Sequence, residues 1–259
     1  MKVKELCTVV SQEMIAAGIY SMWIQTDKIA QEAKPGQFIS LYCHDGARLL
    51  PRPISLCEID AGNGKLRIVY RVAGKGTDEF SKLNAGDSIE VLGPLGNGFP
   101  LQEAEGKRVF LMGGGIGIPP MLETAKQLKA DKIIIPGYRD ALFLTEELAS
   151  AGEVYMAVEH PQEGMDCTVG NVLDAVREKG LEADVICACG PAPMLRAIKA
   201  YALERQIPCW ISMEERMACG IGACLACVCQ SKEVDGHSHV HNKRICKDGP
   251  VFLSTEVEL

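Results

Sequence analysis

The sequence predicts a multi-domain β plus α/β protein. An N-terminal antiparallel β-barrel spans residues 1–101, a central parallel-sheet nucleotide-binding domain 102–211, and a small C-terminal iron–sulfur module 212–259. Three observations carry this. The first hundred residues hold short β-type runs between turn residues, and the next hundred alternate strand and helix. The stretch Met217–Cys229, MACGIGACLACVC, then places four cysteines in thirteen residues.

Composition sets the bounds. A chain of 259 residues buries roughly 70–75% of its unfolded surface, enough for two cores without disulfides. Twelve cysteines behind an N-terminus with no long apolar run argue for a reducing compartment, the cytoplasm. No stretch approaches twenty uninterrupted apolar residues, so no membrane span is expected. A net charge of −7 disfavours nucleic acid as a partner.

In the barrel, strands are expected at Tyr20–Thr26, Gln37–Tyr42, Lys65–Val72 and Asp87–Leu92. Pro35-Gly36, Gly62-Asn63-Gly64 and Gly93-Pro94 break them apart. Two stretches here carry chemistry. Arg52-Pro53-Ile54-Ser55 is expected just ahead of a strand, where Arg52 offers a bidentate fork for phosphate and Ser55 a hydroxyl and an N–H. Val69-Tyr70-Arg71 runs into Gly74-Lys75-Gly76-Thr77, a short turn whose N–H groups can face an anion. Each alone reads as an ordinary surface turn; together on one barrel they point to a phosphate-bearing ligand.

The α/β region opens with a buried-strand run, Lys107–Met112. It passes through Gly113, Gly114, Gly115, Ile116 and Gly117 to Ile118, Pro119 and Pro120, then a helix over Met121–Ala130. Proline is favoured in a helix's first turn, and a glycine-rich turn at a helix N-terminus binds anions through backbone N–H groups. The spacing departs from G-x-G-x-x-G, so no standard dinucleotide fingerprint is present. Further strands are expected at Lys132–Ile135, Val154–Val158 and Asp184–Cys189, with helices at Ala141–Ser150, Val169–Lys179 and Met194–Arg205. Cys189-Gly190-Pro191 again joins a strand end to a helix. It belongs beside the Gly113–Gly117 turn, at the carboxyl edge where open α/β sheets bind ligands.

Cys219, Cys224 and Cys227 reproduce the C-x4-C-x2-C run of plant-type two-iron ligation, and Cys246 can serve as the distant fourth ligand. The two-residue gap is expected to let Cys224 and Cys227 grip one iron, while the glycines of the longer gap let a loop wrap the cluster. Zinc is the rival, but zinc ribbons bring two C-x2-C pairs and one is present. Cys229 could replace Cys227 or Cys246, but reads as a packed neighbour. His237, His239 and His241 are expected on an exposed hairpin or loop outside the site.

RPIS, GKGT, GGGIG, CGP and above all MACGIGACLACVC resemble, over essentially the whole chain, the electron-transfer subunits of class 1B dihydroorotate dehydrogenases in the ferredoxin–NADP reductase superfamily. The resemblance implies an oxidoreductase subunit holding FAD, NAD and a [2Fe-2S] cluster. FAD would lie on Arg52, Pro53, Ile54, Ser55, Val69, Tyr70, Arg71, Gly76 and Thr77, with Arg52 and Thr77 near phosphates and Ser55 near the isoalloxazine. NAD would follow Gly113, Gly114, Gly115, Ile116, Gly117, Cys189, Gly190 and Pro191. Cys219, Cys224, Cys227 and Cys246 would ligate the cluster.

The same resemblance implies a partner, an FMN-containing catalytic subunit, with two of each in a heterotetramer. Electrons would pass through the cluster and FAD to NAD+ in pyrimidine biosynthesis, with no acid–base catalyst in this chain. The cluster would face the partner, with apolar surface around Ile221 and Leu225. One departure is visible: many superfamily members carry an aromatic where Ile54 stands, and Tyr70 is the nearest substitute in sequence to stack on the flavin. Arg139 and Asp140 point opposite ways on NADP against NAD, and the resemblance favours NAD. The alternatives are a flavin/iron–sulfur reductase subunit for ferredoxin or sulfur chemistry, and a non-enzymatic redox sensor.

Overall fold

A computed structural model describes residues 2–236 and 238–259. The N-terminal part is a closed barrel. Strands β1 (Val3–Ala16) and β2 (Ile19–Gln25) form a hairpin, followed by a single turn of helix α1 (Ile29–Glu32) and β3 (Phe38–Leu41). Next come β4 (Arg52–Asp60), β5 (Lys65–Arg71), helix α2 (Lys75–Phe80) and β6 (Ser88–Leu95). The barrel closes in the order β1-β2-β5-β4-β3-β6 with antiparallel pairs throughout. Alternate residues fill it, among them Met22, Ile24, Ile39, Leu41, Leu66, Ile68, Tyr70 and Val91, as the two-residue period of a strand requires.

Two expectations change here. Arg52–Ser55 does not precede a strand; it forms the first four residues of β4, paired with Phe38–Leu41 of β3. A proline near a strand's start costs little ladder bonding, which lets Pro53 sit inside it. The GKGT stretch is no plain turn either, because Lys75 opens α2.

The short helix α3 (Leu101–Ala104) leads to the second sheet. Its elements are β7 (Arg108–Gly114), α4 (Ile118–Gln127), β8 (Asp131–Tyr138), α5 (Thr145–Ala151), β9 (Glu153–Val154) and β10 (Ala157–Val158). They continue with β11 (Thr168–Val169), α6 (Val172–Lys179), β12 (Val185–Cys189), α7 (Ala192–Arg205) and β13 (Cys209–Ser212). The run expected at Val154–Val158 is split into β9 and β10. The helices expected from Ala141 and Val169 start later, at Thr145 and Val172. At the second of these Val169 is claimed by β11, and Asn171 caps the helix: its Oδ1 accepts from Leu173 N at 2.9 Å, and Asp174 accepts from Asn171 N at 2.9 Å.

The chain ends with the hairpin β14 (Val228–Gln230) and β15 (Asn242–Arg244), then β16 (Val251–Leu253). The larger sheet runs β11-β10-β8-β7-β12-β13-β16, with β9 beside β8. It is parallel except at the last pair, where β16 returns antiparallel to β13. The C-terminal segment therefore completes the nucleotide-type sheet, which the sequence reading did not foresee for strands as short as β13 and β16. Among the described residues no helix is long and apolar enough to cross a membrane.

Barrel and sheet are joined by a charged seam. Arg67 of β5 is buried between Glu58 and Glu147 and donates to Ser21 Oγ at 2.9 Å, and Lys126 pairs with Glu58. Glu123 of α4 accepts from Ile59 N of β4 at 2.9 Å. Burial raises the pKa of Glu123, so this carboxyl depends on the bonds it makes. The strand that begins with Arg52–Ser55 is thus tied to the helix that begins at the glycine turn.

Candidate redox site

A cleft of about 570 Å³ opens between barrel and sheet. Its barrel wall comes from Phe38, Arg52, Pro53, Ile54, Ser55, Val69, Tyr70, Arg71, Ala73 and Thr77, and Ile116 reaches it from the glycine turn. Alternation along β5 decides which side chains face it. Val69 and Arg71 point outward, whereas the Tyr70 ring turns into the barrel, stacked on Tyr20 at 5.9 Å and edge-on to Phe80 at 6.4 Å. Its hydroxyl donates to Gln12 at 2.8 Å. The Tyr70 ring thus packs in the barrel core, while the residue also borders the cleft.

Arg52 lies across Gly76, where a Cβ would come within 2.3 Å of its Nε. A guanidinium held against the first turn of a helix is an arrangement that an anion between them stabilises. The Thr77 hydroxyl is already in use, donating to Gly74 O at 3.0 Å and accepting from Ala73 N at 2.9 Å and Gly74 N at 3.2 Å. Thr77 therefore shapes the α2 turn, and its side chain has little left to give a phosphate.

The two sheet turns meet as expected from their places at strand ends. A Cβ on Gly117 would stand 2.3 Å from the Cys189 carbonyl oxygen, and one on Gly190 would stand 3.1 Å from Gly114 N. Only glycine permits that approach. Arg71 extends from the barrel toward Gly115, so one guanidinium borders both the cleft and the glycine turn. Burial first, and the charge of Glu214 second, push the Cys189 thiol up to about 12, which keeps it protonated.

Sequence reasoning missed a third wall. Ser212, Met213, Glu214, Glu215, Arg216 and Met217, with Pro250, line the cleft from the C-terminal side. Glu214 is open to the cleft yet surrounded by protein elsewhere, and burial raises its pKa. These residues follow the carboxyl end of β13, so the strand-end rule would have found them had that strand been recognised.

Beyond Met217 the cysteine loop begins. The Cys224 and Cys219 sulfurs lie 3.3 Å apart, and the Cys246 N–H donates to Cys227 Sγ at 3.5 Å. The thiols of Cys227 and Cys246 also hydrogen-bond each other. The expectation that Cys224 and Cys227 share an iron gives way to pairs 219/224 and 227/246. The hairpin is the reason. Val228 pairs with Arg244 and Ile245 N donates to Cys227 O at 3.0 Å, which sets Cys227 beside Cys246. Cys229 instead pairs with Lys243 and donates its thiol to that residue's carbonyl at 3.6 Å.

Backbone donors converge on these sulfurs. Cys224 N donates to Cys219 Sγ at 3.3 Å, and Gly222 N donates to Cys246 Sγ at 3.1 Å. Burial raises the pKa of Cys219, but the N–H groups of Cys224 and Ile221, the Cys224 thiol and the Ala223 N–H outweigh it and bring the thiol down to about 6. Cys227, held mainly by the Cys246 thiol, is likewise lowered to about 6, and Cys246 is raised in turn. Arg244 steadies the loop from beneath, donating to Gly222 O at 3.0 Å while paired with Asp235 and Asp248. No three His, Cys, Asp or Glu side chains among the described residues converge on one ion position. Two sulfur pairs ringed by N–H donors suit two bridged irons better than a single tetrahedral ion. His239 and His241 are exposed between β14 and β15, apart from this set, and His237 lies outside the described residues.

Solved structures share the arrangement. A ferredoxin NADP+ reductase from Neisseria gonorrhoeae, determined with bound FAD and NADP, aligns with a TM-score of 0.66 at 18% identity, covering 78% of this chain and 91% of that one. That likeness is one of fold. The NADH-dependent reduced ferredoxin–NADP oxidoreductase, studied for flavin-based electron bifurcation, aligns with a TM-score of 0.86 at 29% identity over 98% of this chain and 90% of that chain. Fold and site thus define a ferredoxin-reductase-type oxidoreductase carrying an added cysteine module. Residues 214–258 match the iron-sulfur cluster binding domain of dihydroorotate dehydrogenase B. The electron transfer subunit of dihydroorotate dehydrogenase B (NAD(+)) from Geobacillus thermodenitrificans strain NG80-2 is 44% identical, covering 99% of both chains. Its counterpart from Bacillus cereus strain B4264 is 42% identical over 100% of each. The chain belongs to the family of dihydroorotate dehydrogenase B electron transfer subunits.

Proposed function

We propose that this protein passes electrons between an FMN-containing dihydroorotate dehydrogenase catalytic subunit and NAD+ in pyrimidine biosynthesis, working in the cytoplasm as a heterotetramer with two of each subunit. Residues 1–101 hold FAD, 102–211 hold NAD, and 212–259 hold a [2Fe-2S] cluster on Cys219, Cys224, Cys227 and Cys246. One observation carries this reading: the segment that lines the cleft runs directly into the loop that gathers the thiols. Met217 borders the cleft, and Cys219 begins the loop. Two residues of chain span at most about 7 Å, so the two sites are neighbours.

When bound, a flavin exchanges electrons singly or in pairs and a two-iron cluster exchanges them singly, which links a one-electron carrier to the two-electron nicotinamide couple. The protein's own groups position and insulate. Arg52 and the α2 turn receive the negatively charged part of the flavin nucleotide, and the Val69 and Arg71 side chains flank it. The closely packed Gly113–Gly117 and Cys189–Pro191 turns present backbone N–H groups to the dinucleotide. Protonated Cys189 adds bulk without charge at that junction. Ile221 and Leu225 are 47% and 46% exposed on the cysteine loop and offer the partner an apolar landing.

Purified protein should carry flavin, with iron and acid-labile sulfide in equal amounts, and should reduce a dye with NADH in the absence of any partner. Zinc without labile sulfide would sink the cluster reading. The likeness to the ferredoxin-linked enzyme favours a second reading, a reductase subunit serving ferredoxin. Co-purification of an FMN-bearing subunit that oxidises dihydroorotate decides between them.

A further inference from the structure

Ser40 sits in β3 with 0% of its surface exposed, and its hydroxyl has no hydrogen-bond partner among the described residues. Such a group is rare in a folded protein, because burial strips its water and leaves nothing in exchange. Strand alternation says where it points. Ile39 and Leu41 face the barrel interior, so Phe38 and Ser40 face outward. Phe38 packs in the core that contains Met217, Cys227, Ile245 and Cys246. Ser40 therefore looks toward the cysteine module.

The contact on that side is Gly220, the residue after Cys219. Its φ is +68°, and a Cβ there would lie 3.4 Å from Ser40 Oγ, 3.3 Å from Leu95 Cδ1 and 3.7 Å from Leu92 Cδ2. The hydroxyl is thus the one polar atom among the nearest contacts of this turn, set in an apolar wall. On its other side, β3 pairs with the strand of Arg52–Ser55: Ser40 stands opposite Pro53 and Phe38 opposite Ser55. One side chain lies between the flavin-type strand and the loop proposed to wrap the cluster.

We infer that Ser40 is a positioning and tuning residue for the cluster, its hydroxyl donating a hydrogen bond to a sulfur of the bound cluster. The inference rests on the cluster reading above and goes beyond ligation. A hydrogen bond to sulfur stabilises the more negative reduced state, so Ser40 raises the cluster's reduction potential and eases electron transfer across the barrel wall.

The test compares the full-length loaded protein with Ser40→Ala and Ser40→Thr. Iron and labile sulfide are measured first, and the cluster is then titrated potentiometrically by its electron paramagnetic resonance signal. In Ser40→Ala the reduction equilibrium should move about tenfold toward the oxidised form, which is about 59 mV lower for one electron. Ser40→Thr, which keeps the hydroxyl, should return most of that shift. An unchanged potential in Ser40→Ala overturns the inference. So does loss of iron and sulfide from Ser40→Ala that Ser40→Thr does not restore, since packing alone would then explain it. Absence of iron and sulfide from the parent protein would overturn the cluster reading instead.

Discussion

Three of the four paired thiols lie between positions 219 and 227, whereas the cleft draws its walls from residues as distant as Phe38 and Pro250. The loop is a local object. Its glycines, its backbone donors and most of its sulfurs are neighbours in sequence, so spacing alone announces it. The cleft is assembled by barrel closure, by the meeting of two strand-end turns and by the return of the chain after β13. Chemistry carried by one short stretch is easy to read and easy to destroy with one substitution. Chemistry spread over three walls is hard to read and should weaken by degrees.

That contrast can be broken. Cys224→Ser or Cys246→Ser should give the largest effect, a loss of at least ~10-fold in bound iron and labile sulfide with flavin retained. Equal loss of flavin would mean that loop and cleft do not fail separately. Arg52→Ala comes next. Removing one charge-assisted contact worth ~1.5–3 kcal/mol should weaken flavin binding ~10–100-fold, read by fluorescence of released flavin, with the cluster spectrum unchanged.

Gly117→Ala forces a Cβ against the Cys189 carbonyl. Overpacking of ~1–3 kcal/mol should slow NADH-driven flavin reduction by about tenfold while leaving flavin and iron contents intact. Normal stopped-flow traces would show that the two turns do not form the nicotinamide path. Glu123→Ala strands the Ile59 N–H and should cost ~1–3 kcal/mol, lowering the thermal midpoint by several degrees. Burial holds the Glu123 carboxyl above its ordinary range, so its protonated form favours folding below that raised value. The parent should accordingly lose stability relative to Glu123→Gln as pH rises through it. The smallest effect belongs to Cys229→Ser, whose iron content should match the parent, because that thiol is turned to Lys243 O.

Legibility followed the same divide. Barrel and alternating sheet were readable from period-two runs and from strand-helix alternation, and the turns at Gly113–Gly117 and Cys189–Pro191 from glycine and proline at strand ends. Short strands were not. β13 and β16 have four and three residues, too few to show a period, and with them went the wall of Ser212–Met217. Tyr70 shows what a local pattern leaves open: it borders the cleft between Val69 and Arg71, yet its ring packs on Tyr20 and Phe80 in the barrel.

The sequence by itself determined the fold class, the glycine turns and the run of Cys219, Cys224 and Cys227, because each is encoded over short stretches by backbone freedom or ligand chemistry. Only the tertiary structure decided that Cys246 rather than Cys229 stands beside Cys227, since a hairpin register chooses between them. It alone placed Glu214 in the cleft and Ser40 beside Gly220. Those contacts join segments far apart in the chain, and no local pattern records which distant surfaces will be buried together.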